Sequence, residues 1–404
     1  MKITKIETIR VKEFGAVVWV QVHTDEGLVG LGETWFGARG VSALIHDVFS
    51  PMLIGRSPLD IELHWKNMFR MANAFGFAGA EARAISALDM ALWDIAGQAT
   101  NQPIYNLLGG ACRDRIRVYN TCAGYGEIRD NTRVFNDPDG LAESLLSDGI
   151  TAMKASFADF LADSGAAFGY DIHPRDIEKA LEPLRKIRKA VGDAIEIAND
   201  GHGRFSLHNS IKLAQAMEPY NLLWQEELLE PVNVETHLRL AQETKTPICV
   251  SERLISRYQF KDYIESGAAE IVMPDLIWTG GISETKRICA MAEAYQTPVC
   301  PHDCTGPVNV FACAHICMNA PNAMLMETVR AFYHGWYERF IEPNLRVEKG
   351  YLLAPEGPGI GTRLRAEVHK RPDVSIEASD TPGHIEWGAF RAPNRPQGWP
   401  APTY

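Results

Sequence analysis

Three acids close three short apolar runs, Asp200 in AIEIAND, Glu226 in LLWQEE and Glu252 in PICVSE, at two equal intervals of 26 residues. An interval of that length holds about one strand, one helix and their connections, and in a (β/α) barrel the residues at the C-terminal ends of successive strands converge on one mouth. Three carboxylates gathered there without a partner would repel and shift one another's pKa. Their convergence therefore calls for a cation, and an all-oxygen donor set suits Mg²⁺ better than zinc or copper. Each acid taken singly reads more readily as a surface residue or a helix N-cap just past a strand; the equal spacing of all three favours a metal site.

Three more apolar runs end in groups that can move protons: Asp275 in IVMPD, His302 in PVCPH and Glu327 in MLMET. An Asp one strand away from a His can fix the imidazole in one tautomer and raise its basicity, so Asp275 and His302 form a candidate base dyad. His202, with a glycine on each side in NDGHGR, lies on a loop free to point into the mouth, where it could give a proton to a leaving group or make a weak metal contact. Glu327, if protonated, could hydrogen-bond a developing oxyanion; otherwise it is one more solvated carboxylate. Lys154, in the second strand, is read as a partner for a substrate carboxylate or for an ion pair at the mouth. Trp35 and Arg39 in the loop Thr34 to Arg39, and Trp278 in the loop Ile277 to Thr279, are the remaining candidate substrate contacts. A metal, a base and an acid together suggest one reaction: His302 removes the proton α to a carboxylate, the enediolate is stabilised by Mg²⁺ and Glu327, and His202 expels a β-hydroxyl as water.

These residues need a scaffold. At 404 residues the chain exceeds a single barrel of ~250 residues. Residues 2 to 12 and 16 to 24, with LVGLGETWF after the Asp25-Glu26-Gly27 turn, read as an antiparallel three-stranded meander. Helices follow over 40 to 54, 57 to 72 and 84 to 96, the last with Ile85, Leu88, Leu92 and Ile95 on one face. From Ile116 the rhythm changes to strands at 116 to 121, 149 to 156, 194 to 200, 222 to 227, 247 to 252, 269 to 275, 297 to 302 and 323 to 328, separated by helical patterns, which predicts a closed parallel barrel. A Gly- and Asp-rich insertion, Ala158 to Pro174, interrupts the second unit and has the length of a lid or a disordered loop. Past Val329 an aromatic segment (Phe332, Tyr333, Trp336, Tyr337), a hairpin in NLRVEKGYLLAP and the stretch PEGPGIGT are expected to return to the N-terminal domain. The fold class is α/β: a modified TIM barrel, (β/α)7β, over 116–330, capped by an α+β domain formed by residues 1–115 and the C-terminal segment 331–404.

Composition narrows the partners. The formal charge of −11 argues against nucleic acid, and no apolar run approaches the ~18 residues of a membrane span. The opening MKITKIETIRVKEFG lacks a signal-peptide core, so a cytoplasmic protein is expected. The eight cysteines include no CxxC pair and are read as reduced, buried thiols. The tail from Ser379, rich in Pro, Gly and Trp, suits contact with a neighbour or closure over the site, and a homo-oligomer is expected.

The whole pattern resembles the enolase superfamily and, within it, the mandelate racemase subgroup. The resemblance is carried by ALDMALWDIAG at 87 to 97, PIYNLLGG at 103 to 110, the triad Asp200, Glu226 and Glu252, PDLIWTGGISE at 274 to 284, PHDCTGP at 301 to 307 and GPGIGT at 357 to 362. It implies a capping domain, a (β/α)7β barrel and abstraction of a proton α to a carboxylate. Asp200-x-His202 with the Asp275 and His302 dyad is similar to the acid-sugar dehydratases of the galactonate dehydratase type, in which the histidine at the place of His202 is the acid and that at the place of His302 the base. The racemases' Lys-x-Lys is here Lys154-Ala155-Ser156, which removes the second base and weighs against racemisation. A dehydratase acting on a small sugar acid is the first reading; an epimerase or cycloisomerase working through the same enediolate, and a non-catalytic member of the family, are the others.

Overall fold

The computed structural model describes residues 1–163 and 168–383. Residues 164–167, inside the insertion expected after Lys154, and the tail from residue 384 lie outside the described residues. Alternating apolar and polar residues build Ile3–Val11, Val17–Thr24 and Val29–Trp35 into the expected antiparallel meander. Val374–Ser379, from far along the chain, adds a fourth strand beside the first. The helix Ala80–Thr100 covers one face of this sheet with Ile85, Leu88, Leu92 and Ile95 all buried. It lies close because the third strand presents Gly30 and Gly32 to it: a methyl group at either would overlap the backbone carbonyl of Ala91 or Ala87. The loop expected over Thr34 to Arg39 is shorter than its sequence suggests. The strand continues through Trp35 and the helix Ala38–Leu44 begins at once, leaving Phe36 and Gly37 to make the turn with positive φ.

Arg115–Thr121, Ala152–Ala155, Glu196–Asp200, Trp224–Glu226, Ile248–Val250 and Ile271–Val272 pair in parallel in chain order. Met326–Thr328 pairs with the first of them and closes a (β/α)7β barrel. The strand expected over 297 to 302 is reduced to bridges from Val299 to Val272 and Ala323. Pro298 and Pro301 on either side of it have no N–H to give a ladder. Tyr119, Trp224, Cys249, Met273, Cys300 and Leu325 fill the barrel interior, which makes it a packed floor beneath the mouth rather than a pore. All eight cysteines are free; six are buried, Cys304 is half-buried and Cys112 is exposed. Among the described residues no helix is long and apolar enough to cross a membrane.

The cap is fastened to the barrel by buried polar groups. Asp89 accepts from the backbone N–H of Ser283 (3.0 Å) and from its hydroxyl (2.6 Å), while Trp65 donates its indole N–H to the Gly280 carbonyl (2.7 Å). Asp94 accepts from the N–H groups of Leu31 and Ile360, each at 2.8 Å. Glu33 accepts from the Trp19 indole (2.8 Å) and from the N–H of Asn309 (3.0 Å), at the start of the helix Asn309–Asn319. The return of the C-terminal segment is less direct than expected. Trp336 first stacks on Phe14 (4.2 Å between ring centres) and Phe340 on Trp19 (5.1 Å), joining segment and cap through aromatic contact. The hairpin Val347–Glu348 and Tyr351–Leu353 then pairs antiparallel with Arg115–Arg117, the part of the first barrel strand that extends past its barrel partners and would otherwise be an open edge.

The close approach of sheet and helix gives a direct test. Gly32→Ala is expected to destabilise the protein by about 3 kcal/mol or more, because neither backbone can yield; thermal or urea denaturation measures it, and an unchanged midpoint would contradict the packing described.

Candidate active site

Asp200 and Glu226 are register partners at the ends of neighbouring strands, and Glu252 follows two residues after the next strand. All three are buried. Lys154 links two of them to the last strand, its ammonium 2.5 Å from Glu226 Oε1, 3.0 Å from Glu327 Oε1 and 3.8 Å from Asp200 Oδ2, while Glu252 Oε1 faces Arg253 Nε at 3.5 Å. Burial alone would lower the Lys154 pKa, but the three carboxylates raise it well above the ordinary value. Lys154 is therefore an ion-pair partner at the mouth, with two acids within hydrogen-bond distance and Asp200 farther off.

Of the two forms that the sequence leaves open for Glu327, a protonated acid or a solvated carboxylate, its surroundings favour the carboxylate, though a buried one. Oε1 accepts from the Thr121 hydroxyl and from Lys154, and Oε2 from the Asp303 N–H at 2.8 Å. Burial would push its pKa up, yet Lys154, His302 and these donors hold it below the ordinary carboxylate value, which favours the ionised form. Glu226 shares the same ammonium but has otherwise only the Trp224 indole, at 2.8 Å. Burial, set against Lys154 and joined by the neighbouring carboxylates, pushes Glu226 up to about 8.

His302 and Asp275 meet as the sequence predicts, with Nδ1 2.6 Å from Oδ2. The other Asp275 oxygen accepts from the Ile277 N–H (2.9 Å), so the same carboxylate caps the helical turn Leu276–Thr279. An ionised carboxylate can only accept, so the His302 Nδ1 carries the proton and Nε2 is left facing Glu327 Oε2 at 3.9 Å. Burial would lower the His302 pKa, but Glu327, Asp275 and Glu252 together raise it to about 10. Trp278 belongs to that helical turn rather than to a loop, and its ring centre is 5.5 Å from that of His302. From the cap it is Phe36 (5.9 Å) and the Arg83 guanidinium (4.8 Å) that reach the Trp278 ring. Trp35 packs instead toward Trp336 (6.3 Å) and offers its carbonyl to Arg83 Nε (3.0 Å), while Arg39 is exposed in the first turn of its helix.

His202 adopts a left-handed φ of 48°, and its loop is pinned rather than free. Gly201 N–H donates to the Glu226 carbonyl (2.9 Å), Gly203 N–H to the Glu227 carbonyl (2.6 Å), and Arg253 Nη1 to the carbonyl of His202 itself (2.8 Å). The imidazole Nε2 is 3.3 Å from Asp200 Oδ2, and Nδ1 is 2.5 Å from Asp159 Oδ2 and 3.3 Å from Ser156 Oγ. Burial would lower its pKa, but Asp200 and Asp159 raise it to about 9, so the ring is an imidazolium near neutrality. Asp159 and Arg83 were not legible as site residues: each is one polar group among many in its stretch, and no spacing ties it to His202 or Trp278. Ser156, which stands where the racemases carry their second lysine, here touches the other imidazole.

The carboxylates fit a hard cation by chemistry more than by present arrangement. Among the described residues no three acids, imidazoles or thiolates are gathered as a ready metal cage; the Lys154 ammonium occupies the space between Asp200 and Glu226. The donors are nevertheless all oxygen, and Glu252 Oε2 is buried with no hydrogen-bond partner. Such an orphaned oxygen is costly unless a cation or water meets it, and Mg²⁺ is the cation this set suits.

Residues 139–368 match the enolase C-terminal domain-like family, and residues 6–109 match the mandelate racemase / muconate lactonizing enzyme N-terminal domain. The chain belongs to the mandelate racemase / muconate lactonizing enzyme family, within the enolase superfamily. A D-galactonate dehydratase of Ralstonia pickettii is 34% identical over 90% of this chain and 92% of its own. A D-xylonate dehydratase of Haloferax volcanii is 30% identical over 90% of this chain and 87% of its own. The crystal structure of an enolase of the mandelate racemase subgroup from Agrobacterium tumefaciens superposes with a TM-score of 0.87 at 44% identity, covering 94% of this chain and 99% of that one.

The His302 environment predicts a pH dependence. Its folded pKa lies above the ordinary 6.5, so the stability it contributes is complete below that value and fades as pH rises toward about 10. NMR titration of the metal-free protein should find His302 charged at pH 8, and Asp275→Asn should move its titration downward; an Asp275→Asn variant titrating where the wild type does would refute the coupling.

Proposed function

We propose that this protein is a Mg²⁺-dependent sugar acid dehydratase that converts an aldonate or aldarate to a 2-keto-3-deoxy acid. The observation that carries the reading is a continuous line of contacts across the mouth, from His302 to Glu327 (3.9 Å), Lys154 (3.0 Å), Asp200 (3.8 Å) and His202 (3.3 Å), with a carboxylate-backed imidazole at each end. A proton acceptor and a proton donor face the same small space from opposite sides. The names of the Ralstonia and Haloferax relatives support the same chemistry.

Asp200, Glu226 and Glu252 would hold Mg²⁺, which when bound supplies a fixed positive charge beside the substrate carboxylate. His302, once it has lost the Nε2 proton that the neighbouring carboxylates hold on it in the metal-free protein, takes the α-proton at Nε2, and the C–H electron pair passes into the carboxylate as an enediolate. That pair then returns to form the C2–C3 double bond and expels the β-hydroxyl, which leaves as water with the proton from His202 Nε2. The enol product tautomerises to the 2-keto acid. Asp275 keeps His302 in the tautomer that presents Nε2. Glu327, as an anion, holds both Lys154 and the imidazole. Trp278, with Phe36 and Arg83 against its ring, forms the wall beside the base, and Asp159 lies beside the acid. The protein works in the cytoplasm as a homo-oligomer, with the described residues 1–115 and 331–383 capping the barrel formed by the described residues of 116–330. Paired imidazoles also permit epimerisation, with His202 returning the proton to the opposite face; dehydration lowers the product mass by one water and epimerisation leaves it unchanged.

The test is a screen of four- to six-carbon aldonates and aldarates with Mg²⁺, detecting 2-keto-3-deoxy acids by mass. Turnover of at least one substrate is expected, abolished by chelation, and His302→Asn should lower it by about 10²–10⁴-fold. Product of unchanged mass would transfer the reading to the epimerase, and activity undiminished in His302→Asn would remove His302 as the base.

A further inference from the structure

We infer that Asp159 is a positioning residue for His202, delivered to the site by the segment inserted after the second barrel strand. The inference rests on the reading of His202 as the acid. Asp159 opens the short helix Asp159–Asp163, and its Oδ2 lies 2.5 Å from His202 Nδ1 with the carboxylate only 17% exposed. Arg204 Nε, 3.6 Å from the same oxygen, holds it in place from the His202 loop. The other oxygen, Oδ1, is buried and accepts no hydrogen bond. The carboxylate is therefore spent on the imidazole and on Arg204.

The geometry repeats on the acid side what Asp275 does for the base. Because Asp159 accepts at Nδ1, the ring that remains after proton delivery keeps its proton there, and the proton delivered is the one on Nε2, which faces Asp200 at 3.3 Å and the mouth. Without Asp159 the remaining hydrogen-bond contact at Nδ1 among the described residues is the Ser156 hydroxyl at 3.3 Å, which can donate as readily as accept and so favours neither tautomer. The expected defect is confined to the second half-reaction. Removal of the α-proton at His302 does not involve this dyad; loss of the β-hydroxyl does.

Asp159→Asn keeps the size of the side chain but can turn an N–H toward Nδ1. Three readouts apply to the full-length protein, using as substrate the acid identified in the screen. In ¹⁵N-histidine NMR of the metal-free enzyme, a downfield Nδ1–H proton assigned by its loss in His202→Gln should be present in the wild type and absent in Asp159→Asn. With Mg²⁺, exchange of the substrate α-proton in D₂O should stay within about 3-fold of wild type, while kcat for water loss falls about 10²-fold with KM little changed. Persistence of water loss at the wild-type rate, or equal loss of exchange and elimination, would overturn the proposal, the latter by showing that the segment is merely structural. His202→Gln separates this from the underlying reading: if that variant still eliminates water at the wild-type rate, His202 is not the acid and the function as drawn fails, whatever Asp159 does.

Discussion

The site depends on one buried ammonium. A charge removed from water costs several kcal/mol unless it is paired, and Lys154 is buried in a position where three strand ends supply its partners, Glu226, Glu327 and Asp200. The pairing works in both directions. It keeps Lys154 charged, and it sets the acids apart from one another: Glu327, with a hydroxyl and a backbone N–H as further donors, keeps its negative charge, whereas Glu226, with fewer donors and more carboxylate neighbours, is driven toward the neutral form. An excess of carboxylate over cation persists, and it is this excess that suits the mouth to a divalent ion.

Proton traffic follows from the same field. Both imidazoles lie among carboxylates, and both are pushed up against the tendency of burial to neutralise them. Each is also fixed through Nδ1 by an acid of its own, Asp275 or Asp159, so that Nε2 is the working nitrogen in both. In the proposed reaction, acid and base would differ by placement relative to the substrate rather than by intrinsic chemistry, and the two imidazoles are held in place differently. Asp275 belongs to the barrel, capping a helical turn directly after its strand; Asp159 is brought in by an insertion.

The cap acts by fastening and by enclosure. Several of the segments that make the family recognisable, ALDMALWDIAG, PDLIWTGGISE and GPGIGT, also fasten the cap: Asp89 binds Ser283, Asp94 binds Ile360, and Ser86, just before the first of them, accepts from the Gly280 N–H at 2.9 Å. Fixed in this way, the cap carries Phe36 and Arg83 to the Trp278 ring, and through it to the neighbourhood of His302.

Some of this was determined by the sequence alone. Apolar runs ending in acids at equal spacing placed Asp200, Glu226 and Glu252 at strand ends, and further apolar runs placed Asp275, His302 and Glu327 there, because in a parallel barrel strand order and strand end together dictate where a side chain must go. The barrel, the meander and the helix packed on Gly30 and Gly32 were legible for a similar reason, since they follow from local periodicity. Tertiary structure alone decided the rest. That Glu327 is an anion depends on Thr121 and Asp303, and that Lys154 is occupied depends on distances among three strands. The weakening of the seventh strand, the pinning of the His202 loop by Arg253 and the partnership of Asp159 with His202 arise likewise from contacts made after the chain has folded. Periodicity and spacing say which residues reach the mouth; only the folded arrangement decides which of them pair, and pairing in a low-dielectric interior fixes their charge.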